Sequence, residues 1–375
     1  ERKAQAPSAT STRAMNIGDR DSTRSTDLDY LEFDLGQRPH GLMRRVVCVI
    51  GCMSVTIVVL TVLVAVFAIK AAANVPGSGY PPAPPSDFNW PLGNCSKKVL
   101  VVLPSESVLM LRNKTDPSRM FPYHTGYYLD ELTIPLMTFI ANGFDYDVAT
   151  PFGNMPSMDD RSNASHYFTS DQQWRQALNF VNSSAKIANP IKLPTLGAEQ
   201  AIISGSLDQY DAIFIPGGHG PIISLFRNPD LGRILLHFHA VGRMTTAICH
   251  GPATFAAASF GTGVTPWPYA GYEMVVFSTV LDKKVEDLLG GTIPFYPEDL
   301  LQWLGIKDQD SLVAPGAPHA VYDREVVTGQ NPMSATVFAD MWLSRHGVMC
   351  PPPNEVSNLR AGGAKGVLRR NLRLP

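Results

Sequence analysis

Cysteine and concentrated charge are both scarce in this sequence, and each shortage excludes a class of function. The chain has only 5 cysteines in 375 residues, and none of their spacings matches a CxxC zinc site. Its formal net charge is -2, with no basic stripe in the body of the chain, so we expect no nucleic-acid partner. The sequence also lacks an internal repeat, which argues against a repeat architecture.

Apolar side chains are few in residues 1–45, whereas charged side chains are absent from residues 46–69. A segment with so little to bury cannot offset the entropy of folding, so residues 1–45 are predicted to form a disordered cytoplasmic tail. A helix over 46–69 would extend roughly 36 Å, enough for a hydrocarbon core of about 30 Å. We therefore predict a transmembrane helix there. A buried core helix is a poorer alternative, because cores rarely supply so long an apolar run.

Basic residues flank the predicted span unequally. Arg38, Arg44 and Arg45 precede it, and Lys70 alone follows it closely. Because an excess of basic residues marks the cytoplasmic side, the chain is predicted to be a single-pass type II membrane protein, with its C-terminal domain luminal or extracellular. Four N-glycosylation sequons agree, since all of them follow the span; their asparagines are Asn94, Asn113, Asn163 and Asn182.

Two cysteines bracket the globular part of the chain, Cys95 at its start and Cys350 at its end. In an oxidising compartment they can pair and join the two ends of the domain. Two unpaired surface cysteines fit the sequence equally well. In the paired case, Cys249 is left as the odd thiol outside the span.

The rest of the chain divides by composition. Residues 70–96 are rich in proline, glycine and serine and are predicted to form a semi-extended stalk. From 97 to 346, short β-branched runs alternate with stretches of helical spacing, which predicts one α/β domain with a parallel sheet covered on both faces. Residues 150–210 have weak periodicity and are interpreted as an insertion with local helices. Residues 347–375 are predicted to be a basic, flexible tail.

The segment TTAICHGPATF contains the most distinctive chemistry, because a β-branched run ends at Cys249 and an alanine-rich helical stretch follows. A turn at the carboxyl end of a parallel strand raises its apex side chain above the sheet, where open α/β sheets place their sites. A helix N-terminus behind the sulfur would lower the thiol pKa. Gly251 lets the backbone pass closely. Cys249 is thus predicted to be a thiolate nucleophile, with an inert buried cysteine as the alternative.

A second glycine turn ends another predicted strand, in the segment FIPGGHGPI. Gly217 and Gly218 can offer backbone N–H groups to a developing oxyanion without obstruction by side chains. An ordinary tight turn is the alternative. We predict that Gly217, Gly218, His219 and Gly251 line the substrate side of the site.

The two turns together resemble the ThiJ/PfpI superfamily, within the class I glutamine-amidotransferase-like fold, and in particular its chaperone and glyoxalase III branch. DAIFIPGGHG followed by AICHGPATF carries the resemblance. The segments TGYYLDELTIPLMTFIANGFDYDVAT and AVYDREVVTGQNPMSA extend it over roughly residues 97–346. The resemblance implies a parallel-sheet α/β sandwich of flavodoxin-like or class I amidotransferase-like type, here preceded by the one transmembrane helix.

The resemblance also implies roles for particular residues. The family's nucleophile falls on Cys249 and its adjacent histidine on His250. The acidic partner of the cysteine falls on Glu131, and the triad acid falls on Asp282, although the segment FSTVLDKK departs from the family's usual acidic run. His219 matches a frequent family residue, with a simple turn histidine as the alternative.

Metal and cofactor are not expected. Some bacterial members of the family bind a metal through histidines that follow the helix of the glutamate. The corresponding stretch here, PLMTFIANGF, has no histidine, so the sequence predicts no metal, and no cofactor is implied.

The function implied by the resemblance is a glutathione-independent glyoxalase of glyoxalase III type, which converts methylglyoxal and related 2-oxoaldehydes to 2-hydroxy acids. Deglycation of sugar-protein adducts is a neighbouring activity that the same residues support. The alternatives are a holdase chaperone or redox sensor that uses Cys249, and a PfpI-type cysteine hydrolase. The expected partners are a small 2-oxoaldehyde, the membrane through residues 46–69, and a second copy in a homodimer.

Overall fold

A computed structural model of the chain describes residues 95–310 and 313–350. All of these residues belong to one compact unit. Several predicted segments lie wholly or mostly outside the described residues: the tail 1–45, the span 46–69, the stalk 70–96 and the basic tail 347–375.

Twelve β-strands occur in the described residues, and most of them are short. They are β1 (Lys98–Val102), β2 (Val108–Asn113), β3 (Met120–His124), β4 (Asp145–Thr150), β5 (Ile191–Lys192), β6 (Ala212–Ile215), β7 (Met244–Ile248), β8 (Glu273–Met274), β9 (Gly291–Thr292), β10 (Lys307–Asp308), β11 (Ala320–Asp323) and β12 (Val326–Gly329).

Ten α-helices accompany these strands in the described residues. They are α1 (Leu129–Ala141), α2 (Asp171–Ser183), α3 (Ala185–Ala188), α4 (Pro194–Gly197), α5 (Glu199–Ile203), α6 (Pro229–Val241), α7 (Ala257–Phe260), α8 (Thr279–Leu289), α9 (Pro297–Leu304) and α10 (Ala335–Met349).

The central sheet has seven strands in the order β11-β12-β7-β6-β1-β4-β5. Every neighbouring pair is parallel except β11 and β12, which form an antiparallel pair at one edge. Strands β6 and β7 are buried along their whole length, as expected of parallel strands that are covered on both faces. The prediction of an α/β fold with a mostly parallel sheet is confirmed.

Alternate residues of β1 enter two different hydrophobic clusters, because successive side chains of a strand point to opposite faces. Val99 and Val101 join a cluster with helices α1 and α10, in which the ring of Phe139 stacks on Trp342 with centroids 4.1 Å apart. Leu100 lies in the other cluster, which includes much of α6. The sheet is thus covered on both faces, and the carboxyl ends of its parallel strands remain open for a site.

The prediction of a single-pass type II membrane protein with a luminal or extracellular domain is wrong on present findings. Within 95–310 and 313–350, no helix has both the length and the apolar composition needed to cross a bilayer. The longest of these helices, α10, has 15 residues, whereas a span needs about 20. The stretch 46–69 itself lies outside the described residues.

Three of the four sequon asparagines are described. Asn163 and Asn182 are exposed, and Asn113 is half-buried at the end of β2. The Asn113 side chain accepts hydrogen bonds from the backbone of Thr115 and Asp116. Asn94 lies outside the described residues. Glycosylation at these positions stays a prediction.

Cys95 and Cys350 form a disulfide across 255 residues of sequence. Closing so long a loop restricts the unfolded chain. The loss of its conformational entropy is expected to stabilise the folded state by about 4–5 kcal/mol. We expect the reductant dithiothreitol to lower the free energy of unfolding by a comparable amount, measured by urea denaturation. The variant Cys95→Ala should match the reduced protein and should not respond to reductant. An unchanged free energy of unfolding on reduction would contradict a stabilising role of the Cys95–Cys350 disulfide.

Candidate active site

Cys249 is the residue that directly follows β7, and its backbone is held in the left-handed region at φ 60°. Residues without a glycine's freedom rarely adopt this conformation, and it persists only where the surroundings enforce it. Two backbone hydrogen bonds do so, from Cys249 N–H to Gly329 O at 2.8 Å and from Phe277 N–H to Cys249 O at 3.0 Å. The side chain is only 3% exposed. A 3-10 turn, Gly251–Ala256, follows the cysteine before α7 begins.

The glycine turn after β6 contacts the cysteine directly. A Cβ atom on Gly217 would lie 2.6 Å from Cys249 Cβ and 2.5 Å from Glu131 Oε2, so only glycine fits there. Gly217 N–H donates to Glu131 Oε2 at 3.0 Å, which fixes that carboxyl group beside the sulfur. A backbone hydrogen bond from Gly218 acts to lower the pKa of Cys249, against the larger opposing effect of burial. Because the N–H of Gly217 is occupied by Glu131, Gly218 is the glycine of this turn that favours negative charge at the sulfur.

Cys249, His250 and Asp282 form a chain of polar contacts. Cys249 Sγ lies 3.1 Å from His250 Nδ1, and His250 Nε2 lies 3.0 Å from Asp282 Oδ1. Asp282 is fully buried in the first turn of α8. The ring of Phe277 stacks on His250 with centroids 4.7 Å apart, which further limits rotation of the imidazole.

Burial has the largest effect on the pKa values of Cys249 and of Glu131, the acid beside it. It raises the pKa of Glu131 to about 8, so this carboxyl group carries a proton over most of the neutral range. Burial also raises the pKa of Cys249, and the nearby charge of Glu131 adds to that increase. The lowered thiol pKa expected from a helix N-terminus is therefore not found. His250 is kept neutral because burial lowers its pKa, and it can accept the thiol proton.

His219 joins a second acid to this site. Its Nδ1 lies 3.8 Å from Asp159 Oδ2 and its Nε2 lies 3.8 Å from Asp282 Oδ1. Burial alone would lower its pKa, but the two carboxylates outweigh burial and raise the pKa of His219 to about 9. Asp159 is held in turn by the hydroxyls of Tyr123 at 3.0 Å and Thr125 at 2.6 Å. The two carboxylates on either side of His219 therefore favour its protonated form.

The charge on His219 makes stability depend on pH in a defined direction. A histidine whose folded pKa lies above its ordinary value of 6.5 stabilises the folded state at acidic pH, and this contribution is lost as the pH rises through about 9. We expect the free energy of unfolding, measured by urea denaturation across this window, to fall more steeply for wild type than for His219→Gln. Equal slopes for the two proteins would contradict the buried charge.

A cavity of about 220 Å³ opens onto the sulfur. That volume suits a molecule of a few carbon atoms rather than a drug-sized ligand or a folded partner. Tyrosines, one arginine and apolar side chains form most of its wall, and the residues that line it are Tyr123, Tyr128, Asp159, Arg161, Tyr167, Gly218, His219, Cys249, His250, Phe277, Leu281, Val285, Gly316, Asn331, Pro332 and Met333.

The structure brings most of the predicted site residues to one place. Cys249, His250, Glu131 and Asp282 are in direct or relayed contact, with Gly217, Gly218 and His219 around them. Gly251 instead packs against the end of β6, where a Cβ atom would come within 2.4 Å of Ile215 O. Its role is therefore to allow the turn after Cys249 to pack closely against that strand. Sequence reasoning missed Asp159 and Tyr123, which carry no motif of their own.

One nitrogen from each of His219 and His250 and an oxygen of Asp282 lie within 4.8 Å of one another. Such a set can bind a metal ion, but here Asp282 Oδ1 already contacts a nitrogen of each ring, at 3.0 Å for His250 and 3.8 Å for His219. The expected absence of a cofactor and of a metal at this site stays a prediction.

Comparison with known proteins identifies relatives. A family model described as ThiJ/PfpI family-like matches residues 123–325. The protein/nucleic acid deglycase HchA of Pseudomonas aeruginosa strain UCBPP-PA14 is 29% identical over 261 residues, which cover 67% of this chain and 80% of that protein. The HchA of Escherichia coli O139:H28 is also 29% identical, over 65% of this chain and 79% of its own length.

A solved structure shares the fold. The crystal structure of glyoxalase III from Candida albicans superposes with a TM-score of 0.52 at 21% identity, and the match covers 67% of this chain and 98% of that one. At this identity the likeness concerns the fold alone.

These comparisons decide three predictions. The relatives are named as enzymes, so the prediction that the chain is an enzyme is confirmed. The exclusion of nucleic acid is wrong, because the same relatives are named for acting on nucleic acid; a net charge of -2 argues only against a phosphate-binding surface. A membrane as partner is supported neither by the relatives nor by the described helices, and the type II assignment is withdrawn with it. A homodimer stays a prediction.

The family assignment rests on the extent of the match and on where its turns lie. The family model covers more than half of the 375 residues, and the matched range includes Glu131, the glycine turn at Gly217, Cys249 and Asp282. The chain therefore belongs to the ThiJ/PfpI-like family.

Proposed function

We propose that the chain is a glutathione-independent glyoxalase of glyoxalase III type, which converts methylglyoxal and related 2-oxoaldehydes to 2-hydroxy acids. One observation supports the proposal most strongly. Besides His250, which contacts both Cys249 and Asp282, a second acid, Glu131, is held beside the nucleophile by the N–H of Gly217. A simple hydrolase needs a nucleophile and one base. An internal redox reaction of a 2-oxoaldehyde also needs a group that carries a proton between two carbons.

The first step forms a bond between Cys249 and the aldehyde carbon. His250 Nε2 donates to Asp282, so its Nδ1 is free to accept the thiol proton at 3.1 Å. The sulfur then attacks the carbonyl carbon, and the electron pair moves to oxygen. The N–H of Gly218, which favours negative charge at the sulfur, is assigned to stabilise the developing oxyanion until His250 returns the proton to it and a hemithioacetal results.

The second step moves hydrogen from the first carbon to the second. Glu131 in its ionised form removes the C1 proton, the electron pair moves toward the C2 carbonyl, and the C1 hydroxyl gives its proton to the C2 oxygen, so that an enediolate results. The same carboxyl group then returns the C1 proton to C2 as the C1 oxygen re-forms a carbonyl, which gives a thioester of the 2-hydroxy acid. A pKa of about 8 makes Glu131 a stronger base than an exposed carboxylate and keeps both forms accessible near neutral pH.

The third step releases the product. Water attacks the thioester carbon, its proton passes to His250, and the sulfur leaves with a proton as the thiol. The overall change is addition of one water to methylglyoxal, so no external oxidant, reductant or glutathione is consumed. Deglycation follows the same course after the early adduct of an amine or thiol releases that group with a proton and re-forms the C1 aldehyde that the sulfur attacks. The deglycase names of the relatives support this wider range.

The geometry disfavours the two other functions. A redox sensor needs an accessible thiolate, whereas Cys249 is 3% exposed and its pKa is raised by burial. A peptidase needs a groove for an extended chain, whereas the cavity of about 220 Å³ admits a small molecule.

The test of the proposal is release of lactate from methylglyoxal by the purified protein, assayed without and with glutathione. We expect lactate above the uncatalysed background in both cases, at the same rate. No lactate above background, or lactate only when glutathione is added, would overturn the proposal.

A further inference from the structure

Three carboxylates gather away from the cavity, at the point where α9, β10 and the start of α8 meet. They belong to Glu298, Asp308 and Asp310, and one oxygen of each lies within 4.8 Å of the other two. Glu298 is in the first turn of α9, and Asp308 ends β10. None of the ion pairs found within residues 95–310 and 313–350 includes any of them.

Asp310 differs from the other two acids because it is buried and one of its oxygens is left without a hydrogen bond in the part of the chain that the structure describes. It is 7% exposed, and its Oδ2 has no hydrogen-bond partner among the described residues. A buried carboxylate oxygen without a donor costs a few kcal/mol, so this position favours a ligand of positive charge.

The remaining contacts hold the three carboxylates in place without neutralising them. Asp310 Oδ1 accepts from Val276 N–H at 3.2 Å, and Glu298 Oε2 accepts from Thr279 N–H. Asp308 accepts from Asp310 N–H at 2.9 Å and from the Gln302 side-chain amide at 2.7 Å. These donors are neutral amides, so they orient the three side chains without supplying a positive charge.

We propose that Glu298, Asp308 and Asp310 bind a hard divalent cation of the size of Ca²⁺. Calcium takes oxygen ligands at about 2.4 Å, so two ligands on opposite sides of the ion lie about 4.8 Å apart. Three oxygens within that separation can share one ion, and water can complete the coordination on the partly exposed side of Glu298 and Asp308. Zinc is disfavoured because the set contains neither thiolate nor imidazole. A cation here would depart from the sequence-based prediction of no metal, which rested on the lack of histidines in the segment PLMTFIANGF.

The position of this site gives the ion a structural consequence. Val276 and Thr279, which donate to the cluster, flank the segment that carries Phe277 and Ser278. Phe277 N–H donates to Cys249 O at 3.0 Å, and Ser278 precedes the helix that holds Asp282. A bound cation would therefore tie the segment behind the cysteine to α9 and stabilise the folded state.

The experiment uses the full chain after treatment with a chelator, with CaCl2 titrated by calorimetry and thermal unfolding followed in parallel. We expect one equivalent of Ca²⁺ to bind and to raise the Tm. Removing one of the three carboxylates should weaken binding about tenfold or more, since Ca²⁺ affinity follows the charge of its ligand set. Asp310→Asn tests the buried ligand, and Glu298→Gln tests a partly exposed one. Asp340→Asn, an exposed carboxylate on α10, is the matched control and should bind as wild type does.

Three results would overturn the proposal. The first is the absence of both binding heat and a Tm change for wild type with Ca²⁺. The second is unchanged Ca²⁺ affinity in both Asp310→Asn and Glu298→Gln. The third is a Tm of Asp310→Asn above that of wild type when wild type binds no Ca²⁺, because the carboxyl groups would then share a proton instead of an ion. Preference for MgCl2 over CaCl2 would contradict the assigned size of the ion.

Discussion

Replacing Cys249 by alanine should reduce lactate formation from methylglyoxal to the uncatalysed background. Every covalent intermediate in the proposed reaction is bonded to this sulfur, so neither the His250 relay nor Glu131 has a substrate to act on without it. The residual rate is measured by an enzymatic lactate assay under saturating methylglyoxal. The fold should persist, because the backbone of residue 249 is held by hydrogen bonds that the substitution keeps.

The control for this result is Cys95→Ala, which removes a cysteine that lies outside the cavity. It should keep lactate formation at temperatures where it is folded, even though its stability falls. A Cys249→Ala protein with substantial activity would exclude the covalent route, whatever the activity of the control.

Replacing Glu131 by glutamine should slow turnover by about 10²–10⁴-fold, because the amide keeps the shape of the side chain but cannot take up the C1 proton. Substrate should still bind and still react with the sulfur. The loss is therefore expected in kcat more than in KM, and the hemithioacetal should accumulate. Mass spectrometry of the quenched reaction measures that adduct.

The pH profile adds a second signature of Glu131. Burial raises its pKa to about 8, and only the ionised form can act as the base. The kcat of wild type should therefore rise with pH up to about 8 and then level off, and Glu131→Gln should lack this limb.

Asp130→Asn provides a matched control for Glu131→Gln, since Asp130 is the adjacent buried acid and its pKa is likewise raised by burial. Neither side-chain oxygen of Asp130 has a hydrogen-bond partner among the described residues, whereas Gly217 N–H holds Glu131 beside the sulfur. The control should therefore retain kcat within about tenfold of wild type. An effect of Asp130→Asn as large as that of Glu131→Gln would show that general disturbance of α1, not loss of the base, slows the reaction.

The strands and the two turns of this fold were predictable from sequence because their signals are local. The buried runs of β1, β6 and β7 alternate with helical spacing. Cys249 follows directly on β7, and Gly217 lies two residues after the end of β6. The parallel sheet then brings the two turns to one edge. Hydrophobic pattern and turn chemistry suffice for this much.

Other parts of the site depended on contacts between distant segments. Glu131 and Asp282 could be placed only through the family resemblance, because α1 and α8 meet the cysteine by tertiary packing. Asp159 follows β4 in a stretch of weak periodicity, so no local pattern pointed to it. The thiol pKa was also misjudged from sequence, since the effect of a helix end is local whereas burial depends on the whole fold.

The most direct test of the central claim is the number of lactate molecules formed per molecule of protein with excess methylglyoxal and no glutathione, followed by proton NMR. The account predicts many turnovers per protein, with Cys249 recovered unmodified when the substrate is exhausted. Lactate that never exceeds one equivalent, with Cys249 left permanently modified, would contradict it, because a thiol consumed once by an aldehyde is a scavenger or a sensor and not a catalyst.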